Sequence, residues 1–169
     1  MMNKLPKIIL LPLFIMVVQV LLFSHIHMAG MAVPFFFIII IMMMPYDTSP
    51  YLLMLTGFSL GLIVDLFMNT IGLNAAATTF LAFIRPSIIR AISRKDYSEL
   101  CPYPNVHITG FAWFSTYSLL CCFFHEAFLY TVEAFSFANY TQTIIRIITG
   151  TLFSAILIII TEYITQKPK

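Results

Sequence analysis

The chain has 169 residues, of which 60% are hydrophobic and 9% are charged, and its mean hydropathy is +0.95. Soluble domains are about 45–50% apolar and about 25% charged, so this composition excludes a water-soluble globule. It also excludes an intrinsically disordered chain, and a net charge of +2 does not indicate nucleic-acid binding. The sequence therefore predicts an all-α integral membrane protein in which residues 1–169 form a single polytopic domain.

Six hydrophobic runs approach the length of about 20 residues that a helix needs to cross a membrane. The predicted helices cover approximately residues 5–25, 29–45, 51–68, 72–92, 106–130 and 142–164. The first run could also be a signal peptide, because lysines precede it and small residues follow it, but its length favours a retained helix. The fourth run is short, since its apolar part ends at Arg85, and it can span only if Arg85 snorkels to the headgroups.

The basic residues predict the orientation, because Lys and Arg favour the cytoplasmic side of short loops. With six spans and the N-terminus inside, every Lys and Arg except Arg146 falls on the inner side. Both termini are therefore predicted to be cytoplasmic. Cys101 then lies in an inner loop, within reach of a thiol reagent from that side. The three cysteines lack the spacing of a zinc site or a disulfide framework, and no cofactor or metal is predicted.

Gly57, Gly61 and Asp65 recur every four residues on the third predicted helix, so they share one narrow face. A Gly-x-x-x-Gly pair lets a second helix approach closely, either from within the bundle or from a partner. Because an unpaired carboxylate in hydrocarbon is costly, Asp65 is predicted to face protein; the alternative is that it reaches interfacial water. Asn74 and Thr78 on the fourth helix could supply hydrogen bonds to this face.

Arg146 is the one basic residue predicted near the outer end of the bundle, and an intramembrane ion pair is predicted for it. Glu126 on the fifth helix, Glu133 and Asp65 are the possible partners, since the fifth and sixth helices form a hairpin. Acid–base catalysis by His125 and Glu126 is disfavoured, because neighbouring helical residues point in different directions and no catalytic or metal-binding motif is present.

The residues around Pro86 form an amphipathic pattern, with isoleucines on one side and basic residues on the other. Proline suits the first position of a helix, so this segment is predicted to begin at Pro86 and to lie in the cytoplasmic interface. Its basic face consists of Arg85, Arg90, Arg94 and Lys95. This face either anchors the chain on anionic lipid or docks a cytoplasmic partner.

The stretch Gly57–Phe67, followed by Ile71-Gly72-Leu73-Asn74, resembles the rod shape-determining protein MreD family. That family has a G-x-x-x-D element on one helix, a short turn with Gly-Leu, and an Ala-rich helix that ends at basic residues. Ala75–Ala77 and Arg85 match the last part, and the length, the six-span pattern and the short basic tail agree across nearly the whole chain. The residues assigned to a helix-packing or partner-binding stripe are Gly57, Gly61, Asp65, Gly72 and Asn74.

The resemblance implies a non-enzymatic component of the bacterial cell-elongation machinery in the inner (cytoplasmic) membrane. MreD-like proteins associate with the bitopic protein MreC, and with it they link MreB filaments to the peptidoglycan glycosyltransferase RodA and its partner transpeptidase. Membrane lipid and a second copy of the chain are further candidate partners. The resemblance also implies a fold like that of the substrate-binding subunits of energy-coupling-factor vitamin transporters. Small-molecule capture is therefore the alternative function, although short, nearly uncharged outer loops favour the scaffold.

Overall fold

The described part of the chain consists of helices and the turns that connect them. The computed structural model describes Ile15, Gln19 and residues 34–93, 101–134 and 140–165. A 3-10 turn (Phe36–Ile38) leads into α1 (Ile39–Met42), followed by α2 (Pro50–Met68), α3 (Leu73–Ile92), α4 (Val106–Thr109), α5 (Phe111–Ala134) and α6 (Tyr140–Thr165). No strand occurs in these ranges, so the prediction of an all-α fold is confirmed for them. Outside them lie most of the predicted helix 5–25, the start of helix 29–45, and both Arg94 and Lys95.

Three of the helices, α2, α3 and α6, are long and apolar enough to cross a membrane. They contain 19, 20 and 26 residues, and at about 1.5 Å per residue each reaches roughly the 30 Å of a hydrocarbon core. They correspond to the third, fourth and sixth predicted spans. The helix α5 has 24 residues but is not in this group, since polar side chains such as His125 and Glu126 interrupt its apolar sequence.

The turn between α2 and α3 is short because two of its residues adopt left-handed backbone conformations. Asn69, with φ 55°, ends α2, and Gly72, with φ 73°, immediately precedes α3. At its other end, α2 begins at Pro50, and the Ser49 hydroxyl accepts a hydrogen bond from the Leu52 amide at 3.3 Å. Such a cap satisfies one of the free amides at a helix start. Because the turn between α2 and α3 is short, the two helices run antiparallel and lie side by side.

Pro86 lies inside α3, which continues without a break to Ile92. The predicted span 72–92 therefore agrees with α3, whereas the prediction that Pro86 occupies a first helical position is wrong. Proline offers no N–H to the Ala82 carbonyl. The helix α3 nevertheless packs between α2 and α5, and this packing keeps α3 continuous past Pro86. The predicted fifth helix is instead divided, at Gly110, where φ is 89°.

The long helices pack in the order α2, α3, α5, α6, each mainly against its neighbours in this row. Residues 34–42 lie against the row: the Phe35 and Phe37 rings contact the His125 ring of α5. The side chains facing inward are mostly large and apolar. The outward faces of α2 and α6 also carry large apolar side chains, for example Leu66, 76% exposed, and Phe153, 62% exposed, a surface typical of contact with lipid rather than water.

Candidate functional site

The glycines of α2 lie directly against the backbone of α3. A Cβ atom added to Gly61 would lie 2.5 Å from the Asn74 carbonyl oxygen and from the Ala75 Cα. One added to Gly57 would lie 2.9 Å from the Thr78 carbonyl oxygen. Because backbone atoms cannot rotate away, only glycine permits this spacing. The face predicted from Gly57 and Gly61 is therefore an internal contact between α2 and α3.

Asp65, on the same face, caps the start of α3. Its Oδ1 accepts hydrogen bonds from the Asn74 amide at 3.0 Å and from Asn74 Nδ2 at 2.9 Å, and its Oδ2 accepts one from the Ala75 amide at 2.9 Å. The Thr70 hydroxyl also donates to Oδ1. The first amides of a helix otherwise lack partners, and a negative charge is favourable there. Asp65 is 3% exposed, so its carboxylate faces protein and not interfacial water.

Gly72 belongs to the turn and not to the predicted packing stripe. No atom lies within 4 Å of a Cβ added to it. Its positive φ of 73° is the reason that glycine fits, since other residues adopt this conformation at a cost. Gly72 therefore shapes the connection, whereas Gly57, Gly61, Asp65 and Asn74 make the contacts between the helices.

Glu126 joins α5 to α6 and to the segment before α1. Its Oε1 accepts a hydrogen bond from the Ser154 hydroxyl at 2.8 Å, and the Ser154 oxygen accepts one from the Phe35 amide at 2.9 Å. The Glu126 carboxylate also packs against Gly150, where a side chain would collide with it. Glu126 and Ser154 are fully buried, so this chain of hydrogen bonds lies in the core.

Gln19, in the first predicted helix, holds the same segment from another side. Its Nε2 donates to the Pro34 carbonyl at 3.1 Å, and its Oε1 accepts from the Phe36 amide at 2.8 Å. The backbone of residues 34–36 precedes the first helical turn and has polar groups with no partner in a helix. Gln19 and Ser154 supply those partners.

The predicted ion pair of Arg146 with Glu126 or Asp65 is not formed. Glu126 Oε1 accepts from the Ser154 hydroxyl at 2.8 Å, and its carboxylate packs against Gly150, one turn after Arg146. Arg146 Nε is buried with no hydrogen-bond partner among the described residues. The Asp65 carboxylate, in turn, is occupied by the amides of α3.

His125 and Glu126 point to different helices. His125 Nε2 lies 3.5 Å from the Thr78 hydroxyl of α3, whereas Glu126 contacts Ser154 of α6. The Phe35 and Phe37 rings enclose the imidazole, with centroid distances of 5.2 and 5.9 Å. The two side chains are therefore not arranged as an acid–base pair.

Arg85 is buried, with 1% exposure, and does not belong to an exposed basic face as predicted. Its Nε donates to the Tyr117 hydroxyl at 2.9 Å, and its Nη2 donates to the Met42 carbonyl at 3.1 Å and to the Met44 carbonyl. The Tyr117 hydroxyl also donates to the Met42 carbonyl, at 3.0 Å. The last carbonyls of a helix lack partners, and a cation is favourable beside them. Arg85 therefore ties α3 and α5 to the end of α1.

Of the other residues in the predicted basic face, Arg90 is exposed, and it donates to the Pro86 carbonyl and to the Ser87 hydroxyl, each at 3.3 Å. Arg94 and Lys95 lie outside the described residues. Of the two described residues of this predicted face, Arg85 is therefore buried and Arg90 lies at the surface.

The cysteines are free and buried, including Cys101, which is 6% exposed. Cys101 is thus shielded and does not serve as the accessible loop thiol that the sequence predicts. Within the described ranges, no group of three or more His, Cys, Asp or Glu side chains is placed to hold a metal ion.

Three residues that the sequence did not single out complete these contacts: Gln19, Tyr117 and Ser154. Ser154 follows Gly150 by four residues, so the two share a face of α6, and this small-residue pattern could have indicated a close helix contact. Tyr117 and Gln19 stand in apolar runs with no comparable pattern.

Comparisons of the chain with protein-family models, with curated proteins and with solved structures find no match.

Proposed function

We propose that this chain is a multi-pass protein of the bacterial inner (cytoplasmic) membrane and a non-enzymatic scaffold of the cell-elongation complex, similar to MreD. In this role it binds MreC and helps to couple MreB filaments to peptidoglycan synthesis by RodA and its partner transpeptidase. The observation that carries the proposal is the closure of the α2–α3 hairpin by Gly57, Gly61 and Asp65. The resemblance to MreD rests on this element, and its role is to join two helices.

The way the helix ends meet supports the multi-pass part of this proposal. The Tyr46 amide, between α1 and α2, donates to the Pro102 carbonyl, before α4, at 2.9 Å. At the other end of the row, Thr70 of the α2–α3 turn and Glu133 of α5 line one crevice. The connections therefore alternate between two ends, as expected for helices that cross a membrane up and down. Such a bundle is also compatible with the fold of energy-coupling-factor substrate-binding subunits.

The outward face of α2 is the proposed surface for MreC. Because Gly57 and Gly61 face α3, a partner helix must use the opposite, larger side chains. Of the 18 most apolar consecutive residues of α2, 28% are buried, whereas 39% are buried in the corresponding stretches of α3 and α6. The helix α2 is therefore the least covered of the three. We call its exposed row the α2 stripe, which consists of Tyr51, Leu55, Phe58, Leu62 and Leu66. A spacing of three or four residues suits packing against a second helix.

The alternative, a vitamin-binding transporter subunit, requires a different kind of site. Small-molecule pockets usually measure about 300–1,000 Å³. The crevice beside Thr70 and Glu133 has a free volume of about 20 Å³, too small for such a ligand. This crevice therefore gives the alternative no support.

A photo-crosslinker placed at Phe58 or at Phe153 tests this proposal in cells that express MreC. The two positions are a matched pair, because each is a phenylalanine on the outward face of a helix at the edge of the row, 48% and 62% exposed. We expect light-dependent adducts with MreC from Phe58 and none from Phe153.

Two other results would count against parts of the proposal. Adducts from Phe153 alone would move the MreC surface from α2 to α6, and an adduct of two copies of the chain would identify the α2 stripe as a self-association surface. If neither position yields MreC and the wild-type chain does not co-purify with it, the scaffold function is wrong.

A further inference from the structure

Arg146 lies near the end of the bundle at which the α2–α3 turn and the end of α5 meet. It follows Tyr140, the first residue of α6, by six residues, about 9 Å along the helix. The whole helix has 26 residues, about 39 Å, and exceeds a hydrocarbon core of about 30 Å by about the same length. Long side chains on a helix point back toward its start, and arginine can extend its charged group to the membrane surface. The guanidinium group of Arg146 therefore reaches the level of the lipid headgroups.

Within the described ranges, the side chain of Arg146 forms no ion pair and no hydrogen bond. Three acids lie toward the same end of the bundle, namely Asp65, Glu126 and Glu133. The Asp65 carboxylate accepts from the amides of α3, and the Glu126 carboxylate accepts from the Ser154 hydroxyl. Glu133 lines the crevice beside the α2–α3 turn. None of the three therefore neutralises Arg146.

The rest of the sequence supplies no acid at this end of the bundle. The chain has seven acidic residues. The four not yet considered lie between α1 and α2, between α3 and α4, and in the last turn of α6: Asp47, Asp96, Glu99 and Glu162. Residues 1–33 and 135–139 contain no Asp or Glu. An arginine without a counter-charge at the edge of the hydrocarbon is costly, so the counter-charge of Arg146 has to come from outside the chain.

The donors that Arg146 offers suit an anion with several oxygens. Its side chain is half-buried, and Nε is the guanidinium nitrogen that is enclosed. Since no described residue bonds Nη1 or Nη2, these two amino groups are the accessible part. The guanidinium fork matches two oxygens of one phosphate group. Gln142, which is exposed and lies one turn earlier on the same face of α6, adds a side-chain amide donor.

We propose that Arg146 binds a phosphate group at the membrane surface through Nη1 and Nη2, with the Gln142 amide as a further donor. The phosphate belongs either to a phospholipid headgroup or to a soluble phosphate, since both present the same oxygens. This site lies on α6, away from the α2 stripe, so it is independent of MreC binding.

The test uses the full chain in nanodiscs of digalactosyl diacylglycerol, a lipid without phosphate, and measures the thermal unfolding midpoint in two arms. The lipid arm adds increasing fractions of phosphatidylglycerol, and the soluble arm titrates inorganic phosphate, with potassium chloride of equal ionic strength as the reference. Arg146→Gln removes the charge, and Arg146→Lys keeps the charge but not the fork. Arg90→Gln is the matched control, because Arg90 is an exposed arginine whose guanidinium group already donates to its own helix.

We expect phosphatidylglycerol or inorganic phosphate to raise the midpoint of the wild type and of Arg90→Gln, and the responding arm identifies the source of the phosphate. Arg146→Gln should bind the responding ligand at least about tenfold more weakly, because a charged, bidentate contact is lost, and Arg146→Lys should lie between the two. The proposal is overturned if neither arm raises the midpoint, if Arg146→Gln responds as the wild type does, or if Arg90→Gln loses as much of the response as Arg146→Gln.

Discussion

Replacing Gly61 by alanine should destabilise the protein more than the same change at Gly57. The new methyl carbon at Gly61 would lie 2.5 Å from two backbone atoms of α3, whereas ordinary contacts begin at 3.4 Å. The helices would then have to separate by up to 0.9 Å, the difference between these two distances. At Gly57 the nearest backbone atom is 2.9 Å away, and the corresponding displacement is 0.5 Å.

Two opposing terms set the size of the effect. Overpacking costs about 1–3 kcal/mol, and replacing glycine by alanine inside a helix returns up to about 1 kcal/mol. Separation of the helices at Gly61 also pulls Asp65, one turn away, from the amides that it caps. We therefore expect Gly61→Ala to lower the free energy of unfolding by about 2 kcal/mol or more, and Gly57→Ala by about 0–1 kcal/mol.

A third glycine, Gly150, tests the case in which an added methyl group meets a side chain rather than the backbone. At Gly150 the added methyl group would meet the Glu126 carboxylate, which can rotate at the cost of its hydrogen bond to Ser154. The expected loss for Gly150→Ala is about 1 kcal/mol, between the other two.

Unfolding of the purified chain in mixed micelles measures all three variants, with the exposed Ser59→Ala as the control on α2. If Gly61→Ala is as stable as Ser59→Ala, or more stable than Gly57→Ala, the close contact between α2 and α3 is wrong.

Three further predictions concern the helix ends and the topology. Asp65→Asn should cost about 1–3 kcal/mol in the same unfolding assay, because an amide accepts at one oxygen only; unchanged stability would show that Asp65 does not cap α3. Arg85→Met should cost about 1–3 kcal/mol, since the Met44 carbonyl loses its Arg85 donor and the Met42 carbonyl keeps only the Tyr117 hydroxyl, and Arg85→Lys should recover part of this loss; equal losses in the two variants would remove the role of the charge. The topology can be tested in membranes with an impermeant maleimide. Cysteine in place of Ile71, which is 98% exposed, should react from outside (Ile71→Cys), and cysteine in place of the exposed Ala91 should react from the cytoplasm (Ala91→Cys). Native Cys101 should react slowly from either side, and the reverse pattern for the two variants would invert the orientation.

The bounds of three helices follow closely from the sequence. The predicted spans 51–68, 72–92 and 142–164 differ from α2, α3 and α6 by no more than two residues at either end. Pro50 marks the start of α2, and the turn from Asn69 to Gly72 separates α2 from α3. The apolar runs between such breaks determine the lengths of the helices. The four-residue spacing of Gly57, Gly61 and Asp65 likewise predicts a shared face.

The partners of the buried charges do not follow from the sequence, because they are uncharged groups. Arg146 and Glu126 look equally deep in the sequence, but the Glu126 carboxylate accepts from the Ser154 hydroxyl. The partners of Arg85 are carbonyl groups of Met42 and Met44. Since every residue has a carbonyl group, no side-chain pattern marks these two as acceptors.

The two best-defined buried charges are matched to helix ends rather than to each other. Asp65 meets the amides at the start of α3, and Arg85 meets the carbonyls at the end of α1. Where a helix end is buried in protein, its backbone groups have no water to bond, so one charged side chain satisfies both the unpaired groups and the dipole of the helix. An opposite charge placed nearby would compete with the backbone for Asp65 or Arg85. Loss of either charge should therefore not be rescued by removing an acid or a base elsewhere, as it would be in an ion pair; rescue requires a side chain that again satisfies the exposed helix end.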